Sequence, residues 1–204
     1  MPHLEAFLSF SIVLTLAPGP DNLYVITRGI SQGRKAALAA AAGFACGCLW
    51  HTLLATLGIA ALITQSPTAF NLVRYAGAAY LVYLGIRTLL DRSGFALQQD
   101  GQEPDLWQVF RQSVLANMLN PKVTLFFLSF LPPFVNHAEG HVPQQMLLMG
   151  MLFMLQTLII FGLFGWFGGH IGQWLQRSPT IARRIHLVAG SFFCALGLRV
   201  ALIK

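Results

Sequence analysis

The chain has 204 residues, 55% hydrophobic and only 10% charged, with a mean hydropathy of +0.63 and a formal net charge of +6. Soluble domains carry about 25% charged residues, so these values exclude a soluble enzyme or binding module and leave an integral membrane protein without room for a separate soluble domain. The basic residues are spread among loops and not gathered into one patch, which speaks against nucleic acid as a partner.

A membrane-crossing helix needs about 20 mainly apolar residues. The first is predicted over residues 4–26, interrupted by Ala17-Pro18-Gly19-Pro20-Asp21-Asn22. No basic n-region or small-residue cleavage site precedes it, so this helix is expected to be retained. A basic turn with Arg28, Arg34 and Lys35 follows, and no Asp, Glu, Lys or Arg then occurs from residue 36 to residue 73. That stretch holds a second helix, about 36–63, and the turn Gln65-Ser66-Pro67. A third helix covers about 70–90, and residues 91–105, the most polar stretch, form a solvated loop. A fourth segment begins near Leu106 with Trp107, Phe110, Val114 and Leu115 as its apolar face. It breaks at Asn120-Pro121 and continues over 123–131 to Pro132-Pro133. After a loop at 136–143, a fifth helix covers about 146–168 and a sixth about 181–203, with residues 173–184 between them.

The basic residues orient this plan. Nine lie in the loops after the first, third and fifth helices: Arg28, Arg34, Lys35, Arg87, Arg92, Arg111, Arg177, Arg183 and Arg184. Three lie on the other side, Arg74, Arg199 and Lys204, while Lys122 falls inside a span. The bias places both termini outside. The expected fold is therefore an all-α integral membrane protein, one domain over 1–204, with six transmembrane helices as two inverted three-helix repeats of about 1–102 and 103–204. Helices one and four are broken, and the breaks begin at Pro18 and Asn120, in equivalent places of the two halves.

Both breaks carry chemistry. Residues 4–17 reach only about 21 Å at 1.5 Å per residue, short of the ~30 Å hydrocarbon core, so they cannot cross alone. Each proline removes a backbone donor, and in lipid such a break is tolerated only where protein or a cavity covers it. Pro18, Gly19, Pro20, Asp21 and Asn22 are thus candidate substrate-binding residues, as are Asn120, Pro121 and Lys122. The bland alternatives are a kink of purely structural origin and a Lys122 that snorkels to the interface. Counted from Arg28 and Arg111, Asp21 and Lys122 lie about 10 and 16 Å deep, so they are expected to face one central cavity. His51, the one histidine in mid-helix, is either a hydrogen-bonded strut between helices or, with Asp21, a proton carrier.

The remaining patterns read as packing. Cys46, Cys48 and Cys194 lie in apolar spans and are taken as small buried residues; Cys46 and Cys48 point to different faces. His137 and His141, four residues apart near Glu139, lack a third ligand, and nothing in the sequence calls for a metal or a cofactor. Gly43/Gly47, Gly165/Gly169 and Gly168/Gly172 form small-residue faces for close helix contact, within the chain or across a homodimer.

Ala17-Pro18-Gly19-Pro20-Asp21-Asn22, the Gly33-Arg34-Lys35 turn, and Asn120-Pro121-Lys122-Val123 followed by Phe126-Phe127-Leu128-Ser129-Phe130-Leu131-Pro132 together resemble the LysE/RhtB family of amino-acid exporters. The resemblance covers essentially the whole chain. It implies efflux of amino acids or close derivatives from the cytoplasm across the bacterial inner membrane, driven by the proton gradient, with the choice of amino acid left open. Relatives often carry an acidic residue shortly after the second glycine of helix two; here Cys48, Leu49, Trp50 and His51 follow Gly47. The rival readings are a passive channel for small zwitterions on the same scaffold and a membrane enzyme or assembly subunit. The enzyme would need a cluster of catalytic residues at one depth, which the sequence does not display.

Overall fold

The computed structural model describes residues 4–17, 19–59, 67–90 and 105–202. Among these, the chain is helical throughout and forms no strand. The helices are α1 (Leu4–Leu16), α2 (Pro20–Ser31), α3 (Gly33–Leu54, continued as a π-turn over Ala55–Ile59), α4 (Pro67–Leu90), α5 (Leu106–Met118), α6 (Pro121–Phe130), α7 (Val142–Arg177) and α8 (Pro179–Leu202). Four of them begin on a proline, where the missing N–H is one the helix could not have used and φ is preset. Gly33, at φ 82°, makes the turn between α2 and α3 in the left-handed region that glycine enters freely. Asp105 caps α5, its carboxylate accepting from the N–H groups of Trp107 and Gln108 at 2.9 and 3.2 Å.

Three described stretches are long and apolar enough to cross a membrane: Gly33–Gly58, Val142–Gly168 and Arg183–Leu202. The pair Leu106–Met118 and Pro121–Phe134, bent by 51° at the break, makes a fourth crossing if it is one span. Leu4–Leu16 and Tyr75–Leu90 are shorter apolar helices. The helical membrane architecture agrees with the composition.

Two apolar cores hold the helices together. One gathers Val25, Ala37, Ala40, Ala41, Phe44, Val109 and Phe161, joining α2, α3, α5 and α7. The other joins α1, α4, α6, α8 and the first turns of α7 through residues such as Phe7, Leu81, Phe126, Phe130, Met149 and Phe193. Its rings interlock: Phe126 stacks on Phe130 at 4.5 Å, and Phe10 meets Phe130 edge-on at 5.7 Å. Glycines set the closest approaches. A Cβ on Gly43 would stand 2.4 Å from Phe110 O, and one on Gly165 would stand 2.9 Å from Ala37 Cβ. Between α4 and α8 the approach is mutual: a Cβ on Gly85 meets Gly190 O at 2.7 Å, and one on Gly190 meets Gly85 O at 2.8 Å. The glycine faces therefore serve packing inside the chain. Gly169 and Gly172 have no described surroundings.

The structure corrects four boundaries or faces. Residues 173–184 are not a loop: α7 runs on to Arg177, and α8 starts at Pro179, so the link is Ser178. The proline permits a helix start directly after the previous end. The fifth helix begins at Val142, not near residue 146, and the third at Pro67, not near residue 70. The inward face of α5 is Val109, Ser113 and Asn117, whereas Trp107 and Leu115 are 63% and 55% exposed. A helix in lipid turns its large apolar residues outward, so the soluble-protein rule for finding the buried face inverts. Of the three cysteines expected to be buried, only Cys48 is; Cys194 is half-buried and Cys46 exposed, on a different face from Cys48.

Candidate functional site

Buried polar side chains form a belt beside the two cores. Along α7 it falls at Gln156 and Thr157, between Phe153 of one core and Phe161 of the other. Along α3 it falls at His51 and Thr52; on the broken helices it comprises Thr15, Asp21, Asn22, Asn117, Asn120 and Lys122. Polar groups at such depth must be satisfied within the protein, and the two breaks supply the means.

Each break restarts a helix in the same way. Gly19 is the N-cap of α2 and Pro20 its first residue; Asn120 is the N-cap of α6 and Pro121 its first residue. Both prolines are exposed. The second residues are Asp21 and Lys122, both buried. Asn120 joins the two starts. Its Oδ1 accepts from the Lys122 N–H at 3.0 Å, while its Nδ2 donates to both carboxylate oxygens of Asp21 at 2.9 Å. One amide thus caps its own helix and fixes the acid of the other, 99 residues away.

Asp21 and Lys122 are both buried, and Asn120 links them: its side chain holds the Asp21 carboxylate and caps the helix in which Lys122 is the second residue. The Lys122 ammonium lies against the first break: a Cβ on Gly19 would stand 2.9 Å from Nζ. It also lies 5.6 Å from the centroid of Phe193, on whose ring face it finds a weak cation site. A side chain at Gly19 would displace this ammonium, the far end of a flexible chain, while its other neighbours stand at 3.9 Å or more. Asn22 Nδ2 donates to Thr15 O at 2.8 Å, satisfying a carbonyl that the end of α1 leaves free. Pro18 lies outside the described residues.

His51 reaches across from α3 to the second break. Its Nε2 is 2.9 Å from Asn117 O, and its Nδ1 is 3.3 Å from Thr124 Oγ1. A carbonyl only accepts, so Nε2 carries a proton. The Thr124 hydroxyl, 3.2 Å from Asn120 O, can donate to Nδ1, or accept from a protonated Nδ1 while donating to that carbonyl. Either charge state of His51 keeps its bonds. The geometry thus serves a strut and a proton carrier alike.

On the side of α2 and α5, Arg28 Nη2 donates to Tyr24 OH at 2.9 Å and to Gln112 Oε1 at 3.3 Å, linking the two half-helices. The other half-helices, α1 and the turn after α6, meet through Phe7 and Phe134 at 5.8 Å. Arg199 stacks over Phe10 at 5.0 Å. Among the described residues no group of three or more His, Cys, Asp or Glu is placed to hold a metal. His137 has no described side-chain surroundings.

Sequence reasoning missed Thr15, Thr52, Asn117, Gln156 and Thr157 as members of the belt, and Thr124 as a partner of His51. For two of them a signal existed: Gln156 and Thr157 carry the only hydrogen-bonding N or O side-chain atoms between residues 146 and 160.

A membrane-embedded helical protein with two helices restarted face to face, and opposite charges at the two restarts, belongs with translocators. The LysE type translocator family model matches residues 12–203, and the chain belongs to that family. It is a transporter, not an enzyme. It is 33% identical to an uncharacterized membrane protein of Vibrio cholerae, over 98% of this chain and 96% of that one. It is 29% identical to an uncharacterized membrane protein of Pseudomonas aeruginosa, over 93% and 90% of the two chains. With the membrane protein YrhP of Bacillus subtilis the identity is 26%, over 99% and 100%. No solved structure matches.

Proposed function

We propose that this translocator exports amino acids or close derivatives from the cytoplasm as a proton-coupled secondary transporter. The carrying observation is the Asp21–Asn120–Lys122 crossing. It offers groups of both signs, as a zwitterion needs. The half-helix N-termini, each roughly half a positive charge, and Lys122 suit the substrate carboxylate, and Asp21 suits its ammonium. A plain pore for zwitterions has no use for a buried acid and base linked by one amide.

Asp21 and Lys122 occupy the same position of their restarted helices, which supports two inverted repeats of three spans with helices one and four broken. The basic asymmetry supports a bacterial inner-membrane protein with both termini outside. Gly43, Gly47, Gly165 and Gly168 make close contacts inside the chain.

The test is transport by purified protein in liposomes, with a panel of amino acids and an imposed proton gradient. Uphill movement of at least one amino acid, abolished by collapsing the gradient, is the expected result. Equilibration that ignores the gradient would leave a passive facilitator instead. If His51 carries the coupled proton, His51→Gln stops uphill movement and spares substrate exchange. Normal uphill export with normal pH dependence in that variant returns His51 to a structural role.

A further inference from the structure

Two buried amide oxygens stand unmatched beside the first break. Asn22 and Gln156 are 5% and 9% exposed, and neither Asn22 Oδ1 nor Gln156 Oε1 has a hydrogen-bond partner. Their amino groups are committed elsewhere. Asn22 Nδ2 donates to Thr15 O at 2.8 Å, and Gln156 Nε2 donates to Thr15 Oγ1 at 2.8 Å and to Thr157 Oγ1 at 3.0 Å. Both amides thus hang on one residue, whose own hydroxyl donates to Ser11 O at 2.9 Å.

A primary amide owns two donor hydrogens and one acceptor oxygen. Gln156 directs its amino group at two hydroxyls, which leaves its oxygen, able only to accept, without a partner. Asn22 Oδ1 lies 4.0 Å from the point where a Cβ on Gly19 would sit, the point that Lys122 Nζ approaches to 2.9 Å. It therefore borders the charged crossing. A buried acceptor without a donor is a costly feature to keep, and two that share an anchor call for a donor from outside the chain.

We propose that Asn22 Oδ1 and Gln156 Oε1 form a specificity subsite for the substrate side chain, favouring one that carries a hydrogen-bond donor over a hydrocarbon of the same shape. The inference rests on the amino-acid export reading above. The charged crossing receives the groups that all amino acids share; the paired oxygens receive the part in which they differ. A hydrocarbon side chain leaves both oxygens dry, and sites built to bond a substrate group reject the analogue that lacks it.

Threonine and valine are nearly isosteric and differ by a hydroxyl; asparagine and leucine differ by an amide. Export of each pair from preloaded proteoliposomes under a proton gradient is expected to favour the donor-bearing member by at least about tenfold. Gln156→Met keeps the length, drops the oxygen and shrinks that ratio several-fold. Thr15→Val removes the hydroxyl that anchors Gln156 and moves the ratio the same way. Ligand-induced stabilisation of the detergent-purified protein gives a second readout without transport: threonine raises the melting temperature of the wild type more than valine does, and Gln156→Met narrows the gap. Equal export of both members by the wild type, or an unchanged ratio in both variants, overturns the subsite while export stands. A wild type that moves no amino acid overturns the export reading and the subsite with it.

Discussion

Asp21→Asn is expected to reduce uphill export to background. The change is isosteric, and an asparagine can still accept from Asn120 Nδ2, so the restart of α2 keeps its shape. What disappears is the one negative charge in a buried crossing that also holds Lys122 and two positive helix ends. The substrate ammonium loses its partner, and Lys122 loses the charge that offsets its burial. Lys122→Met is expected to fail in the mirror sense, leaving Asp21 buried and the substrate carboxylate without its cation. Each single variant should therefore insert but lose stability. Removing both charges removes the imbalance, so the double variant Asp21→Asn/Lys122→Met should recover about 1–3 kcal/mol relative to additivity, the scale for residues sharing one network, and still transport nothing. Export in liposomes and denaturant unfolding in detergent check the two halves separately. Normal export by either single variant refutes the crossing as the site, and additive stability losses refute the electrostatic coupling.

Gly43→Ala is expected to have the second-largest effect, through packing. The added methyl would stand 2.4 Å from Phe110 O and 2.7 Å from Ser113 Cβ. The first obstacle is backbone and cannot rotate away, so α3 and α5 must separate. Overpacking of this kind costs about 1–3 kcal/mol. The displacement also pulls His51 from Asn117 O, a 2.9 Å contact between the same two helices, so export should fall along with stability. Gly162→Ala is the control, because a Cβ there meets only Leu38 Cδ2 at 4.0 Å. In mid-helix it should be neutral or stabilise by about 0.5–1 kcal/mol. Thermal unfolding of the two variants side by side decides the point: equal melting temperatures would sink the close-packing account.

The breaks were legible in the sequence because proline has a physical signature that no environment hides. At each break the structure starts a new helix, with Pro20 and Pro121 as first residues. The tie between the breaks was not legible. Nothing in Asn120-Pro121-Lys122 says that the asparagine, and not the lysine, would hold the Asp21 carboxylate, since that depends on how the two helices cross. The inward face of α5 was misread for a reason specific to membranes. Trp107, Phe110, Val114 and Leu115 look like a core stripe, yet Trp107 and Leu115 stand exposed while Ser113 and Asn117 turn inward. The basic residues of 173–184 suggested a loop, but charge at a membrane surface is compatible with helix, and Ser178 with Pro179 suffices as a link. Gln156 and Thr157 stand out in a long apolar helix, but nothing there names a partner; the meaning of Gln156 comes from Thr15 on another helix.

The mutual contact of Gly85 with Gly190 decides which parts of this machine have slack. Backbone meets backbone there, and Gly197 repeats the approach against Ala78 O at 2.7 Å. Two rods in such contact neither roll nor slide past one another without first coming apart, so α4 and α8 behave as a single strut. The two breaks, where the helical hydrogen-bond ladder is interrupted, are the places left for bending. We expect any opening toward either side of the membrane to hinge at these two breaks against a fixed post.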